Sequence, residues 1–218
     1  MAAAAGADRR GPKIRSTYRH GDLRRALLDA GIELARAGGP EAVVLREATR
    51  RAGVVPNAAY RHFAGREDLL EAVRAAALAA LAVAMERELA RLRQEQRLAD
   101  QARASLRAVG RGYLQFALAE TGLFRTAFSK AGAVEDDRDP AKAGSSGLNP
   151  FELLGAALDR MVQADVLPAS RRPGAEYLAW AAVHGLALLL IDGPLKGLRK
   201  KQVSGLAQRL LDMVDKGL

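Results

Sequence analysis

Leu45–Phe63 reads LREATRRAGVVPNAAYRHF, and this stretch decides the fold. Leu45, Ala48 and Ala52 fall on one face of a first helix, with Arg46, Arg50 and Arg51 turned elsewhere. Gly53 can take a positive φ without steric penalty, so the chain can turn sharply there. Pro56 suits the first turn of a second helix, where its missing N–H costs nothing. That helix, expected over about Pro56–Phe63, carries Asn57, Ala58, Tyr60, Arg61 and His62. Two helices joined by a glycine turn outline a helix-turn-helix, whose second helix lies in the DNA major groove.

Composition sets the frame around this motif. Ala, Leu, Arg and Glu dominate the 218 residues and only 5% are aromatic, so an all-α chain is expected. The formal charge of +9 favours a polyanionic partner, although charge alone does not separate nucleic acid from a membrane surface. The charge is unevenly shared. Residues 1–70 hold 13 Lys+Arg against 8 Asp+Glu, a net +5 over a third of the chain. With no cysteine, neither disulfides nor thiolate metal sites are available. Ala2–Ala5 is too short for a signal-peptide core, and the apolar run Ala179–Ile191, interrupted by His184 and Gly185, is too short to span a bilayer. A cytoplasmic protein with no membrane partner is the simplest expectation.

The apolar periodicity divides the rest of the chain. A first helix is expected over about Gly21–Ala37, with Leu23, Ala26, Leu27, Ala30 and Leu34 inward, stopped by Gly38-Gly39-Pro40. After the Ala64-Gly65 turn, Leu69, Leu70, Val73, Ala77, Leu81 and Met85 predict a long helix to about Arg93–Gln96. Further helices are expected over about 101–120, 123–128, 150–167, 175–191 and 200–215. Residues 132–149 lack periodicity and are rich in Gly, Ser and charge, so they are expected to form a mobile loop.

Three strings in order, YRHGDLRRALLDAGIELARAGG, LREATRRAGVVPNAAYRHF and GREDLLEAV, resemble the DNA-binding domain of the TetR family of bacterial transcriptional regulators over about Tyr18–Val73. WAAVHG at Trp180–Gly185 is similar to a subgroup whose regulatory domain carries a Trp…His-Gly (WHG) signature. The organisation expected from these strings is a disordered basic arm over 1–17, a three-helix helix-turn-helix domain over 18–66, and a helical effector-binding domain over 67–218. The arm is equally read as a solvated tail or as one ordered by the minor groove. The resemblance also implies a homodimer formed through the last two helices. The apolar face of Tyr177–Ile191 and the stripe Val203, Leu206, Leu210, Leu211 and Val214 fit such an interface, with completion of a monomer core as the lesser alternative. Val44 and Val55 depart from the family's usual Ser or Thr before the second and third helices. Valine offers no hydroxyl to cap the orphan N–H groups, a loss of about 1 kcal/mol. Thr49 stands where the family has a small alanine.

Base edges are read from the start of the third helix, which makes Pro56, Asn57 and Ala58 the candidates for sequence readout. Asn57 can offer a paired donor and acceptor to adenine. Arg46 can reach a phosphate or a guanine. The resemblance places Tyr60, His62 and Arg66 on backbone phosphates, with Arg61 beside them. Each has a plain alternative as packing or solvated charge, and Phe63 is expected in the core. For the effector pocket the candidates are Tyr113, Phe116, Phe124, Phe128, Met161, Trp180 and His184, a set that also reads as ordinary core. His20, His62 and His184 fall in different elements and suggest no metal site, and no cofactor is expected. A ligand-responsive repressor on a near-palindromic operator is the reading these features favour, with double-stranded DNA and a small-molecule effector as partners. An architectural or weakly sequence-specific DNA-binding protein is the alternative. An enzyme finds no Gly-rich phosphate loop or paired nucleophile and base in the sequence.

Overall fold

The computed structural model of the chain describes residues 20–93, 97–130 and 138–218. The basic arm over 1–17 and the opening of the loop expected at 132–149 lie outside the described residues. Nine α-helices and no strand occur among the described residues: α1 (His20–Gly38), α2 (Leu45–Ala52), α3 (Pro56–Ala59), α4 (Arg66–Ala90), α5 (Leu98–Ala119), α6 (Thr121–Ala127), α7 (Pro150–Gln163), α8 (Ala175–Ile191) and α9 (Lys200–Gly217). No helix among them is long and apolar enough to cross a membrane.

α1 buries Leu27, Ala30 and Leu34, the stripe its periodicity predicts. It crosses α4 closely at Gly31, where a Cβ would stand 2.8 Å from Val73 Cγ2. α4 buries Leu69, Leu70, Val73, Ala77, Leu81 and Met85 along its length. At about 1.5 Å per residue its 25 residues span roughly 37 Å, long enough to serve two bundles. Its first turns complete the N-terminal bundle of α1–α3, so the expected boundary at residues 66/67 marks the start of a helix and not a break in the core. Its later turns pack against α5 and α7.

α4 and α5 approach most closely at Gly112. A Cβ there would lie 2.5 Å from Met85 Cα and 2.7 Å from Ala84 O, so only glycine admits this backbone contact. α6 follows α5 directly and packs Gly122 onto the last carbonyls of α1. Beside it Arg36 donates to Glu120 over 2.7 Å. α9 is tied to α5 by Asp215, whose side chain is 0% exposed and receives Arg103 Nη1 at 2.7 Å as well as Arg107 Nη2.

Two expectations need correction. Residues 138–149 are not a mobile loop. Pro140–Lys142 forms a 3-10 turn, and Glu86 on α4 accepts hydrogen bonds from Ser145 N (2.9 Å), Ser146 N (2.8 Å) and Ser146 Oγ (2.6 Å). Burial pushes the Glu86 carboxyl up, but these hydrogen bonds outweigh it and hold the group below the ordinary carboxylate range. The segment then runs into a capping box, with Asn149 Oδ1 accepting Glu152 N at 2.9 Å and Glu152 Oε2 accepting Asn149 N at 2.8 Å. α7 also ends at Gln163 instead of Leu167. Asp165 takes φ 54°, and Val166 N reaches back to Met161 O at 2.9 Å, closing the helix as a glycine usually would.

Gly112 gives a stability prediction. Gly112→Ala sets a methyl against backbone atoms that no rotamer can move, and should cost about 3 kcal/mol, the upper range of overpacking. Gly110→Ala should cost less, because its obstacle is the far end of the Leu211 side chain. Urea denaturation of the two variants checks the order, and equal losses would reject the backbone-contact argument.

Candidate DNA-binding face and effector cavity

The N-terminal bundle presents a small projecting turn. α2 ends in a paired closure, with Gly53 at φ 67° ψ 30°, Gly53 N donating to Arg50 O (3.3 Å) and Val54 N to Thr49 O (3.1 Å). Space for a side chain exists at Gly53, so its requirement is conformational and not steric. Val44 and Val55 occupy the N-cap positions of α2 and α3, and neither helix has a side-chain cap. Thr49 is buried and satisfies its own hydroxyl by donating to Arg46 O at 2.6 Å, which lets it replace a small residue without an orphan donor.

The third helix is shorter than expected. It covers Pro56–Ala59, not Pro56–Phe63, and the chain leaves it at Tyr60 (φ −64°, ψ −15°). His62 N and Phe63 N both return to Ala59 O at 2.9 Å, a tightened end that swings Phe63 fully into the core. The helix has no capped start, and burying Phe63 takes precedence over extending it. Pro56, Asn57 and Ala58 therefore sit on α3, while Tyr60, Arg61 and His62 sit on the turn after it. Pro56, Asn57 and Arg61 are exposed, Ala58 and His62 half-buried, and Tyr60 is 60% exposed. Arg46 is exposed at the start of α2.

Arg66 has an internal task. Its guanidinium donates to Pro40 O at 2.9 Å and to Glu67 at 2.8 Å, with Glu41 at 3.4 Å, and so fastens the start of α4 to the chain leaving α1. Two further features lay outside the sequence reading. The Arg24 guanidinium carbon lies 5.1 Å from the centre of the Phe63 ring. Glu47 accepts from Arg50 (2.7 and 2.8 Å) and Arg51 (3.2 Å), and these hydrogen bonds pull its carboxyl down to about 2. Opposite charges at three- and four-residue spacing on a helix were the available signal.

The second region is a cavity of about 90 Å³ between α4, α5, α7, α8 and α9. Of the seven expected pocket residues, Tyr113, Phe128 and Trp180 line it. Phe116, Phe124 and Met161 do not: each is buried in the helical core. His184 also stands off the wall. Trp180 Nε1 donates to Tyr113 Oη at 3.1 Å, and Tyr113 Oη lies 2.6 Å from His184 Nδ1. Burial pushes the Tyr113 phenol up and the His184 imidazole down. Burial thus favours the neutral forms of both groups, which share one short hydrogen bond whose direction follows the histidine tautomer. Trp180 and His184, four residues apart on α8, together grip one tyrosine of α5. Phe151, Arg107, Lys142 and Asn149 also line it and were not among the expected residues. Arg103, Arg107 and Arg111 recur at four-residue spacing, a signal that could have marked an inward basic stripe on α5. Lys142 and Asn149 belong to the segment expected to be a loop.

Comparison with known proteins decides the family. Residues 106–214 match the model of the tetracyclin repressor-like C-terminal domain, and residues 27–73 match the model of bacterial regulatory proteins of the tetR family. The chain belongs to the TetR family of bacterial transcriptional regulators. Its N-terminal bundle is the family's helix-turn-helix DNA-binding domain, and its C-terminal domain is the helical partner. No curated protein sequence matches the chain. Among solved structures, a protein of unknown function from Rhodococcus sp. RHA1 is 26% identical, covers 94% of this chain and 99% of its own, and superposes with a TM-score of 0.72. The TetR family regulator PfmR from Thermus thermophilus shares the fold at 19% identity and TM-score 0.56, covering 88% of this chain and 95% of its own. A TetR family regulator from Marinobacter aquaeolei does so at 19% and 0.57, with 87% and 94% covered.

The lowered His184 value has a signed consequence. The unfolded chain takes up the imidazole proton at a higher pH than the folded one does. This part of the stability is complete above the ordinary value of 6.5 and is lost as pH falls below it. Urea midpoints measured between about pH 5 and 8 should decline on the acid side. His184→Gln should flatten that decline, whereas an unchanged slope would assign it to other groups.

Proposed function

We propose that this TetR-family regulator is a ligand-responsive repressor, binding a near-palindromic operator as a dimer and released by a small effector, in the cytoplasm. The observation that carries the reading is the exposed face of α3 and its following turn, anchored from behind by Ala59 and Phe63. Pro56, Asn57 and Ala58 would read base edges. Asn57 would pair with adenine, and Pro56 and Ala58 would meet thymine methyls. Tyr60, Arg61, His62 and Arg46 would contact phosphates and set the register. Arg66 would act chiefly by holding the start of α4 against Pro40, so its loss would displace the whole reading turn.

The dimer surface in this reading is the apolar side of α8 and α9 that the chain leaves uncovered. Tyr177, Leu178, Leu188 and Leu189 share one side of α8 and are exposed, as is Met213 on α9. Leu211 is buried, and Val203, Leu206, Leu210 and Val214 pack partly against the core. An apolar stripe of this kind on one helix pair suits a two-fold, self-complementary contact. The cavity would hold the effector, which acts by preferring one separation of the paired reading turns over another.

Gel shifts test the DNA reading. Tyr60→Phe and Arg61→Ala should weaken binding evenly across operator variants, with Arg61→Ala lowering the salt slope by about one. Asn57→Ala should instead cost about 1–3 kcal/mol at one base position and relax preference there. Wild-type binding by all three, or equal affinity for a scrambled competitor, would overturn specific readout by α3. Sedimentation tests the assembly. Leu178→Glu with Leu189→Glu should convert a dimer to a monomer while the helical content is retained, and a persisting dimer would move the interface elsewhere.

A further inference from the structure

The cavity has apolar walls, and its few polar groups already have partners inside the fold. Phe128, Phe151, Trp180 and Leu154 form much of its surface, with Met85 and Leu78 of α4. The rings are set at angles to one another, Phe128 and Trp180 with centres 6.0 Å apart and tilted by 43°, Phe151 and Trp180 6.2 Å apart at 74°. The ionisable side chains on the lining are Tyr113, Arg107 and Lys142, and no Asp or Glu of the described residues is among them.

Both cations are matched from outside the lining. Arg107 Nη2 donates to the buried Asp215, and its Nε lies 3.3 Å from Asp212 Oδ1. That Nε–H is buried without an aligned acceptor, but the two carboxylates already meet the guanidinium's charge. Lys142 pairs with Asp139. The Tyr113 hydroxyl is engaged by both Trp180 and His184, and Asn149 Oδ1 accepts Glu152 N. An anion entering here would have to draw a cation away from an acid that holds it. An entering cation would meet two of its own sign and no acid on the lining. Either guest leaves a charge out of water without a full partner, which is costly. An uncharged apolar guest disturbs none of these bonds and gains by leaving water. The volume of about 90 Å³ leaves room for on the order of six to nine water-sized groups. Toluene is of that size.

We propose that this cavity selects a small uncharged apolar molecule of about the size of toluene, held among Phe128, Phe151 and Trp180, and rejects acids and amines of the same shape. The assignment rests on the reading of this cavity as the effector site, and it names the effector's chemical class. Selection comes from the internal pairing of Arg107 and Lys142, which leaves the two basic side chains as wall and not as ligands.

Trp180 is the only tryptophan of the chain and lines the cavity, so its fluorescence reports occupancy in the unaltered protein. Wild-type full-length chain is titrated at neutral pH with toluene, benzoate and benzylamine, which share one ring and differ in charge. Toluene should shift the Trp180 signal, and both charged rings should bind about tenfold or more weakly. Ala179 also lines the cavity, so Ala179→Leu should fill it and abolish the toluene response while circular dichroism shows the helices intact. If that variant unfolds, the smaller Ala179→Val should weaken the response. No toluene response in the wild type, a charged ring binding as tightly as toluene, or an undiminished response in a folded Ala179 variant each overturns the proposal. The same ligands are then added to the gel shift. Toluene that binds with the expected preference and leaves the operator complex intact upholds the ligand class and rejects the release reading. A charged ring that binds as tightly as toluene and dissolves the complex does the reverse.

Discussion

One helix has to satisfy two bundles at once. α4 supplies Leu69, Leu70 and Val73 to the bundle that carries the reading turn, and Leu78 and Met85 to the wall of the cavity. It is held at three levels. Arg66 fixes its start to Pro40, and Asp68 Oδ2 accepts the Ala64 N–H at 2.9 Å. Gly112 lets α5 lie directly on its backbone near Met85, and the buried Glu88 pairs with Arg91 and Arg111 near its end. A helix pinned in this way cannot bend to suit one bundle alone. Any occupant that shifts the cavity wall must either be resisted or move the helix as a body, because close-packed interiors pass strain along instead of absorbing it.

The second constraint is where the buried charge sits. Asp215 on α9 and Glu88 on α4 are both withdrawn from solvent, and each takes two arginine partners, three of the four from α5. Burying such pairs recovers little net stability, yet removing one partner leaves an uncompensated charge and is costly. Their effect here is positional. The arginine stripe on α5 sets the rotation of α9 on one side and of α4 on the other, and Arg107 then belongs to the cavity lining and to the α5–α9 tie at once. Opening the cavity along that seam would separate charges. The wall formed by residues 138–149 is held by the Glu86 clasp and by the capping box of α7, so exchange through that side costs hydrogen bonds instead.

The long helices were legible because their periodicity answers to burial alone. Leu27, Ala30 and Leu34, or Leu69, Val73 and Met85, repeat at helical spacing and are buried as that spacing demands. What stayed hidden was set by partners distant in sequence. Nothing local to Ser145 and Ser146 announces that Glu86, some sixty positions earlier, will receive their N–H groups. The end of α7 escaped because an aspartate, not a glycine, takes the positive φ. The cavity was half legible for a related reason. Aromatic spacing identifies residues that point inward, but it does not separate those that line a void, such as Trp180, from those that fill one, such as Phe124.

The reading turn shows how a weak element is made rigid. A helix of four residues has almost no stability of its own, since nucleation fixes more dihedrals than its hydrogen bonds repay. Neither Val44 nor Val55 adds a capping bond. Order comes from outside the helix: the closure at Gly53, the hydroxyl of Thr49 returned to Arg46 O, and the complete burial of Ala59 and Phe63. With the backbone fixed from behind, Asn57, Tyr60 and Arg61 can remain exposed without loosening the fold. A hydroxyl in place of Val44 or Val55 would satisfy a helix-start N–H, and without it the order of α3 rests all the more on what packs behind it.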